Sequence, residues 1–458
     1  MKRLHVTVFI CITGILVILS GCSTIRKNEA TQSYRELVNT PLDYNERSNT
    51  RAKAPELKDN STLSDFLVYA ALNNPELEAA FNRWKASLEK IPQVQTLPDP
   101  RFTYSYFIEE IETRVGPQRH RFDISQTFPW FGKLSLLGDL ALQDANIKKQ
   151  AYETLKLRLF YRIKTAYYEY YYLSRALEIT EDNMKLLTSL EEVARSKYTS
   201  GKATYADVIK SQVEIGKLEE RLLSLNDQKE PITAELNAVL NRSSDAPLPS
   251  NLSLPEEALT LSDTLIFVRL KEFNPELKSL NFQALRETKA VELAKKQFYP
   301  DISLGLNYIE TGKSRMSGIP ESGKDPVIGM FTVNLPLWRN KYHASVREAL
   351  MIKKSVEKAL TARENTLNAE LKRALYNYRD SERKVDLYKN TLIPKARESL
   401  NVSLQAFETG KADFLSLIDA QRTLLEFELS YERALSDRAR HYANIELLVG
   451  DSYTGMKK

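Results

Sequence analysis

The sequence is written twice. Asn74-Pro75-Glu76-Leu77 recurs as Asn274-Pro275-Glu276-Leu277, and Pro100 recurs as Pro300, both 200 residues later. Pro129 in Gln126-Thr-Phe-Pro-Trp-Phe-Gly-Lys133 matches Pro336 in Asn334-Leu-Pro-Leu-Trp338 at an offset of 207. Gly201 in Tyr198-Thr-Ser-Gly-Lys-Ala203 matches Gly410 in Phe407-Glu-Thr-Gly-Lys-Ala412 at 209. Four landmarks in one order with so little drift are hard to obtain by chance and mark two copies of one plan. The drift falls mainly between Pro300 and Pro336, where the Gly/Ser/Pro-rich stretch Thr311 to Pro326 predicts a surface loop. A Ser/Pro/Asn-rich linker, 241–262, separates a first repeat at 62–240 from a second at 263–450; a tail follows at 451–458.

Within each half the period of the apolar residues changes twice. Leu63 to about Glu89 has helical spacing, as does the matching start of the second half. Alternation follows. Phe102, Tyr104, Tyr106 and Ile108 alternate with Thr103 and Ser105; Phe122, Ile124 and Phe128 interleave with Asp123, Ser125 and Thr127. The pattern predicts strands at about 101–109 and 120–128, and again at about 301–309 and 327–335. Nine or ten residues is the length that crosses a hydrocarbon layer when tilted, with one apolar and one polar face. The same alternation also suits a half-buried strand of a soluble sheet.

Each second strand precedes a helix of unusual length. Residues 134–199 contain no proline and only Gly138, and 341–409 are interrupted once, by Pro394, which should kink the helix. At 1.5 Å per residue the first spans roughly 100 Å. Leu173, Leu177, Met184, Leu187, Ala194 and Tyr198 are spaced like a coiled-coil seam. Gly201 and Gly410 then reverse the chain as helix caps do, and return helices are expected at 204–238, kinked near Pro231, and at 413–448. Four strands cannot close a barrel and an open sheet edge is not tolerated in lipid, so copies must share one; two copies would supply eight strands with an interior filled by side chains, and three would supply twelve with room for a duct.

The first residues bear on location. Lys2 and Arg3, a mostly apolar run to Leu19 and small residues before Cys22 have the layout of a secretory signal at 1–21, and the apolar part is short for a membrane span. Leu19-Ser-Gly-Cys22 resembles a lipobox, which would make Cys22 a lipid anchor at the head of a tail, 22–61. Its acyl chains would contribute about 0.8 kcal/mol per buried methylene. With Cys11 removed, one thiol remains, so internal disulfides and zinc clusters are excluded. Removing Lys2 and Arg3 from 65 basic residues leaves 63 against 60 acidic, which gives no footprint for nucleic acid. With no Gly-rich phosphate loop and no nucleophile elbow, and with His120, His343 and His441 far apart, neither an enzyme nor a cofactor site is indicated. Six scattered methionines support no metal relay.

The repeated Asn-Pro-Glu-Leu, Leu97-Pro-Asp-Pro100 before a strand, Gln126 to Lys133 after one, and the paired Gly-Lys-Ala turns resemble the TolC family of outer-membrane efflux proteins, especially its lipid-anchored members. The resemblance covers about 62–450. It implies a mainly α chain with a transmembrane β-barrel portion, a trimer sharing a twelve-stranded barrel, and a helical periplasmic tunnel closed at its tip. It also implies passive conduction of small molecules delivered by an inner-membrane pump through a periplasmic adaptor. A lipid-anchored adaptor, or a structural coiled-coil lipoprotein, is the alternative; an adaptor should carry one hairpin rather than two.

By position, the resemblance makes Asp207, six residues after Gly201, and Asp419, nine after Gly410, candidates for an acidic ring at the tip. The remaining family position, six after Gly410, is Ser416, so the ring would be thinner. Thr204 with Asp207 also reads as a capping box, and Asp413 as an N-cap, so either carboxylate could simply start a helix. Lys202 and Lys411 beside the glycines are candidates for docking the adaptor.

Overall fold

A computed structural model provides the structure and describes residues 29–38, 56–249, 252–255 and 258–451. The signal, Cys22, most of the N-terminal tail and nearly all of the C-terminal tail lie outside the described residues. In chain order the elements are α1 (Glu29–Val38), α2 (Leu63–Asn73), α3 (Pro75–Leu88), α4 (Lys90–Gln95), β1 (Arg101–Ile111), β2 (Gln118–Phe128), α5 (Lys133–Thr199) and α6 (Tyr205–Val239). The second half repeats the plan with α7 (Asp263–Phe273), α8 (Pro275–Lys296), β3 (Ile302–Thr311), β4 (Val327–Val333), α9 (Arg339–Leu387), α10 (Ile393–Glu408) and α11 (Phe414–Val449). The fold is mainly helical with four antiparallel strands. No helix among the described residues is long and apolar enough to cross a membrane.

The repeated Asn-Pro-Glu-Leu is a helix junction, which corrects the single helix expected from Leu63 to about Glu89. Asn74 is extended (ψ 112°) because the following proline disfavours helical backbone. Its side-chain oxygen accepts from Leu77 N–H at 2.9 Å, so it caps the helix that Pro75 opens. Asn274 does the same for Leu277 at 3.0 Å. Both leucines are buried and lock the new helix down.

The chain forms two compact units. One gathers α1, the strands and the helix segments that flank them (Asn82–Lys148 and Leu280–Ala359). Its sheet has the order β1-β2-β3-β4, so one hairpin from each half meets at the β2–β3 seam. The register sets Phe102 opposite Ile124 and Ile124 opposite Leu306; Thr103 pairs with Asp123 and Asp123 with Asn307. One face is therefore apolar and aromatic, with Ile108 91% exposed, while the other carries the polar rows. On the polar face Asp123 accepts from Arg121 at 3.1 Å and from Asn307. The outer edges of β1 and β4 have no strand partner among the described residues. The strand expected to reach 335 ends at Val333 because Asn334 turns its side chain to accept from Asp301 N–H ahead of Pro336. Gly138, the lone glycine of α5, lies where a Cβ would strike the Gln95 side chain.

The other unit is a helical bundle built from 149–279 and 360–451 with α2. Its seam on α5 is Leu173, Ala176, Thr180, Asn183, Leu187, Leu190 and Ala194, in steps of three and four, all buried. This corrects the expected seam at three places: Leu177 and Met184 sit beside it and Tyr198 is 45% exposed. The polar members are satisfied. Thr180 donates to Ala176 C=O at 2.6 Å, and Asn183 accepts from buried Gln421 at 3.2 Å. Pro394, expected to kink the helix and not to end it, lacks the N–H that would continue the regular ladder; the turn before it, Tyr388–Leu392, widens to π-helix, and helix resumes at Ile393. α6 continues through Pro231.

Candidate functional site at the two hairpin turns

Both helical hairpins of the bundle turn in the same way. Gly201 (φ +72°) and Gly410 (φ +74°) adopt the left-handed conformation that side chains resist. Gly201 N–H donates to Tyr198 C=O and Lys202 N–H to Lys197 C=O; Gly410 N–H donates to Phe407 C=O and Lys411 N–H to Ala406 C=O. These paired bonds satisfy the last carbonyls of each long helix, as a Schellman cap does. The Lys202 and Lys411 side chains are exposed. A ring pair brackets each turn: Tyr198 with Tyr205 at 5.4 Å, and Phe407 with Phe414 at 5.3 Å.

The carboxylates divide into those that start helices and one that does not. Asp207 accepts from the backbone N–H of Thr204 at 3.1 Å and from its hydroxyl at 2.8 Å, while Lys210 stands 3.9 Å away. Asp413 accepts from Ser416 N–H at 3.0 Å and from the Ser416 hydroxyl at 2.5 Å. These bonds, the hydroxyl's first, hold the Asp413 carboxyl below the usual aspartate range. Ser416 is thus engaged by the cap. Asp419 lies past the first turn of α11, its side chain 61% exposed, with one 3.4 Å contact to Arg422. No hydrogen bond or ion pair among the described residues joins Asp207 to Asp419.

The groups that tie the hairpins together are ones the sequence did not single out. Arg422 on α11 reaches Glu214 on α6, with Nε to Oε2 at 2.9 Å and a second contact from Nη2 to Oε1. Lys217 holds the same carboxylate at 2.7 Å. Glu214 is mostly buried, and the Arg422 hydrogen bond is the main cause of its lowered pKa. Glu191, also lowered chiefly by its bond to Arg195, accepts from Gln212 at 3.3 Å and so fastens α5 to α6. Lys197 crosses between the turns: its Nζ donates to Phe407 C=O at 2.6 Å and Glu408 C=O at 2.7 Å, at the carbonyl-rich end of α10. One signal was available: Glu214 is an acid at helical spacing from Val208, Ser211 and Leu218, on the buried stripe of α6.

The sequence model of the family described as outer membrane efflux protein matches residues 67–242 and 267–451. The toxin and drug export protein A of Aggregatibacter actinomycetemcomitans is 23% identical over 462 residues, covering 93% of this chain and 96% of that one. The cobalt-zinc-cadmium resistance protein CzcC of Cupriavidus metallidurans is 20% identical over 395 residues, 85% and 90% of the two chains. The fold is similar to that of the outer membrane protein VceC of Vibrio cholerae, with a TM-score of 0.68 at 16% identity, covering 85% of this chain and 96% of that one. The two matched stretches are the two halves that carry the repeated strands, turns and Asn-Pro-Glu-Leu junctions, and the chain belongs to the outer membrane efflux protein family.

Proposed function

We propose that three copies of this chain pool their sheets into one twelve-stranded barrel and form the outer-membrane duct of a tripartite exporter. The observation that carries this is the sheet itself: among the described residues it has four strands, an apolar exposed face, a polar opposite face, and two edges without a strand partner. Each edge amide left open in lipid costs several kcal/mol, so closure by sister chains is the economical arrangement. Eight strands would leave an interior filled by side chains, whereas twelve leave a passage. The duct conducts passively, and a periplasmic adaptor and an inner-membrane pump supply small-molecule cargo and energy.

The hairpin turns form the periplasmic tip. Lys202 and Lys411, projecting from the two caps, meet the adaptor. Asp207, Asp413 and Ser416 set the turn geometry as caps, and Asp419 is the carboxylate left to narrow the passage. Its neighbour Arg422 holds the second hairpin to the first through Glu214, so the same arginine balances the gate charge and the latch. Three copies of Asp419 around an axis attract cations.

Cys22 carries the lipid anchor. The docking of α1 supports this: Thr31 bonds Gln95 at 3.0 Å, Tyr34 bonds Glu89 at 3.0 Å, and Lys85 Nζ reaches Leu37 C=O at 3.0 Å. The helix thus runs antiparallel to α3 and α4, its N-terminal end beside the segment that leads into β1. From Cys22 to Ala30 the chain extends at most about 27 Å. The experiment is single-channel recording of the purified protein in planar bilayers. Asp419→Ala and Arg422→Ala should each raise conductance; unchanged conductance in both removes these residues from the gate, and no current at all contradicts the duct.

A further inference from the structure

The two ends of the sheet differ in how their charges are used. At the end bearing the β1–β2 and β3–β4 loops, charges neutralise one another: Arg119 pairs with Glu110 at 2.8 Å, Arg315 with Glu110 at 3.2 Å, and Lys324 with Glu321 at 2.7 Å. At the opposite end, where β1 and β3 begin and β2 and β4 give way to helices, Asp99 stands ahead of β1, and in 129–133, 295–301 and 334–343 the only acid is Asp301. It is already engaged, accepting from Lys133 and from Trp130 N–H, each at 2.8 Å. Lys295, Lys296, Arg339 and Lys341 remain, and no ion pair joins them to a carboxylate among the described residues.

The same end exposes large apolar groups. Phe131 is 81% exposed and Trp338 80%, with Leu335 and Leu337 close behind. Trp130 stacks on Tyr299 at 5.3 Å and 11°, and Lys296 Nζ lies 5.6 Å from that Tyr299 ring. A Cβ placed on Gly132 would meet the same ammonium at 3.9 Å, so the lysine borders the turn that carries Phe131. Apolar side chains beside unpaired cations, at the end of a membrane-length strand, match the boundary between acyl chains and headgroups.

We propose that this end of the sheet binds an acidic phospholipid of the leaflet facing the helices. Arg339, Lys341 and Lys296 take the phosphate and the negative headgroup, and Trp338, Leu337 and Phe131 take the upper acyl chain. The inference rests on the membrane-spanning reading of the sheet. It adds a lipid preference, and a seat for it, to that reading.

Indole fluorescence tests it. Of the three tryptophans Trp84 is 2% exposed and shielded from contact quenching, so in the full chain carrying Trp130→Phe the quenchable part of the emission is that of Trp338. The protein is reconstituted in mixed phosphatidylcholine and phosphatidylglycerol vesicles of one composition, with bromine placed high on the acyl chains of either one lipid or the other. Quenching by brominated phosphatidylglycerol should exceed its share of the lipid by at least about twofold. The excess should vanish in Lys296→Gln/Arg339→Gln/Lys341→Gln, while quenching by brominated phosphatidylcholine persists. Quenching in proportion to composition, or no quenching of Trp338 in protein that has inserted, overturns this inference alone. Protein that stays out of the vesicles overturns the duct reading with it.

Discussion

The two hairpin turns share one backbone and live in different surroundings. At an offset of 209, Tyr198 and Tyr205 correspond to Phe407 and Phe414, and the ring pairs have nearly equal spacing. Yet Tyr205 is 58% exposed and Phe414 1%. The hydroxyl marks the ring that meets solvent. The caps differ in kind as well: the first turn has a capping box of Thr204 with Asp207 three residues on, and the second has Asp413 as a plain N-cap that accepts from the N–H and hydroxyl of Ser416. Each turn therefore spends one carboxylate on starting its helix, and Ser416 donates to the second of them. The position of Asp419 is Lys210 in the first half, so the gate candidate is specific to the second hairpin. Local sequence fixes the turn, and the neighbours decide what the turn is used for.

The contrast can be broken most strongly at the rings. Phe414→Ala should cost about 3–5 kcal/mol as a core truncation, whereas Tyr205→Ala should cost under about 1 kcal/mol as a surface change. Thermal unfolding of the two purified variants checks this, and equal losses would erase the distinction. Next in size is the tie between hairpins. Arg422→Ala leaves Glu214 with Lys217 alone and should cost about 1–2 kcal/mol, with faster trypsin cleavage at the turns, while Lys210→Ala should change neither. The caps come next: Asp207→Ala and Asp413→Ala should each cost about 1 kcal/mol, and the exchange Asp413→Thr with Ser416→Asp should give the second helix a box like the first and keep its stability, read by the same unfolding assay.

The smallest effect is that of acid. Glu214 and Asp413 both titrate below their ordinary values in the folded chain. The stability they lend is therefore complete above the unfolded carboxyl range, about pH 4. It is lost as the pH falls through the lowered values. Proteolysis at the turns should be flat from neutral pH down to that range and rise below it in the wild type. Glu214→Gln should remove the part of that rise that belongs to the latch.

What was legible in the sequence was periodic or local. Alternation disclosed the strands because a sheet with two unlike faces must alternate, and the glycines disclosed the turns because few residues accept positive φ. The seam on α5 was misread where Ala176, Thr180 and Asn183 do its packing, since small and polar side chains do not look like core. The Asn74 and Asn274 junctions were seen as landmarks and not as caps, because their function depends on which oxygen reaches which N–H. The Glu214–Arg422 tie joins residues 208 apart, and only the packing of α6 beside α11 brings them together. Asp419 was singled out by position as a gate candidate, whereas the Arg422 that stands 3.4 Å from it was not singled out at all.

Hydrogen exchange at the sheet edges tests the central claim most directly. In the detergent-purified assembly, amides of β1 and β4 should be as protected as those of β2 and β3, because strands of sister chains close on them. Rapid exchange along the outer edges of β1 and β4, with β2 and β3 still protected, would show a sheet that stays open and would contradict the shared barrel.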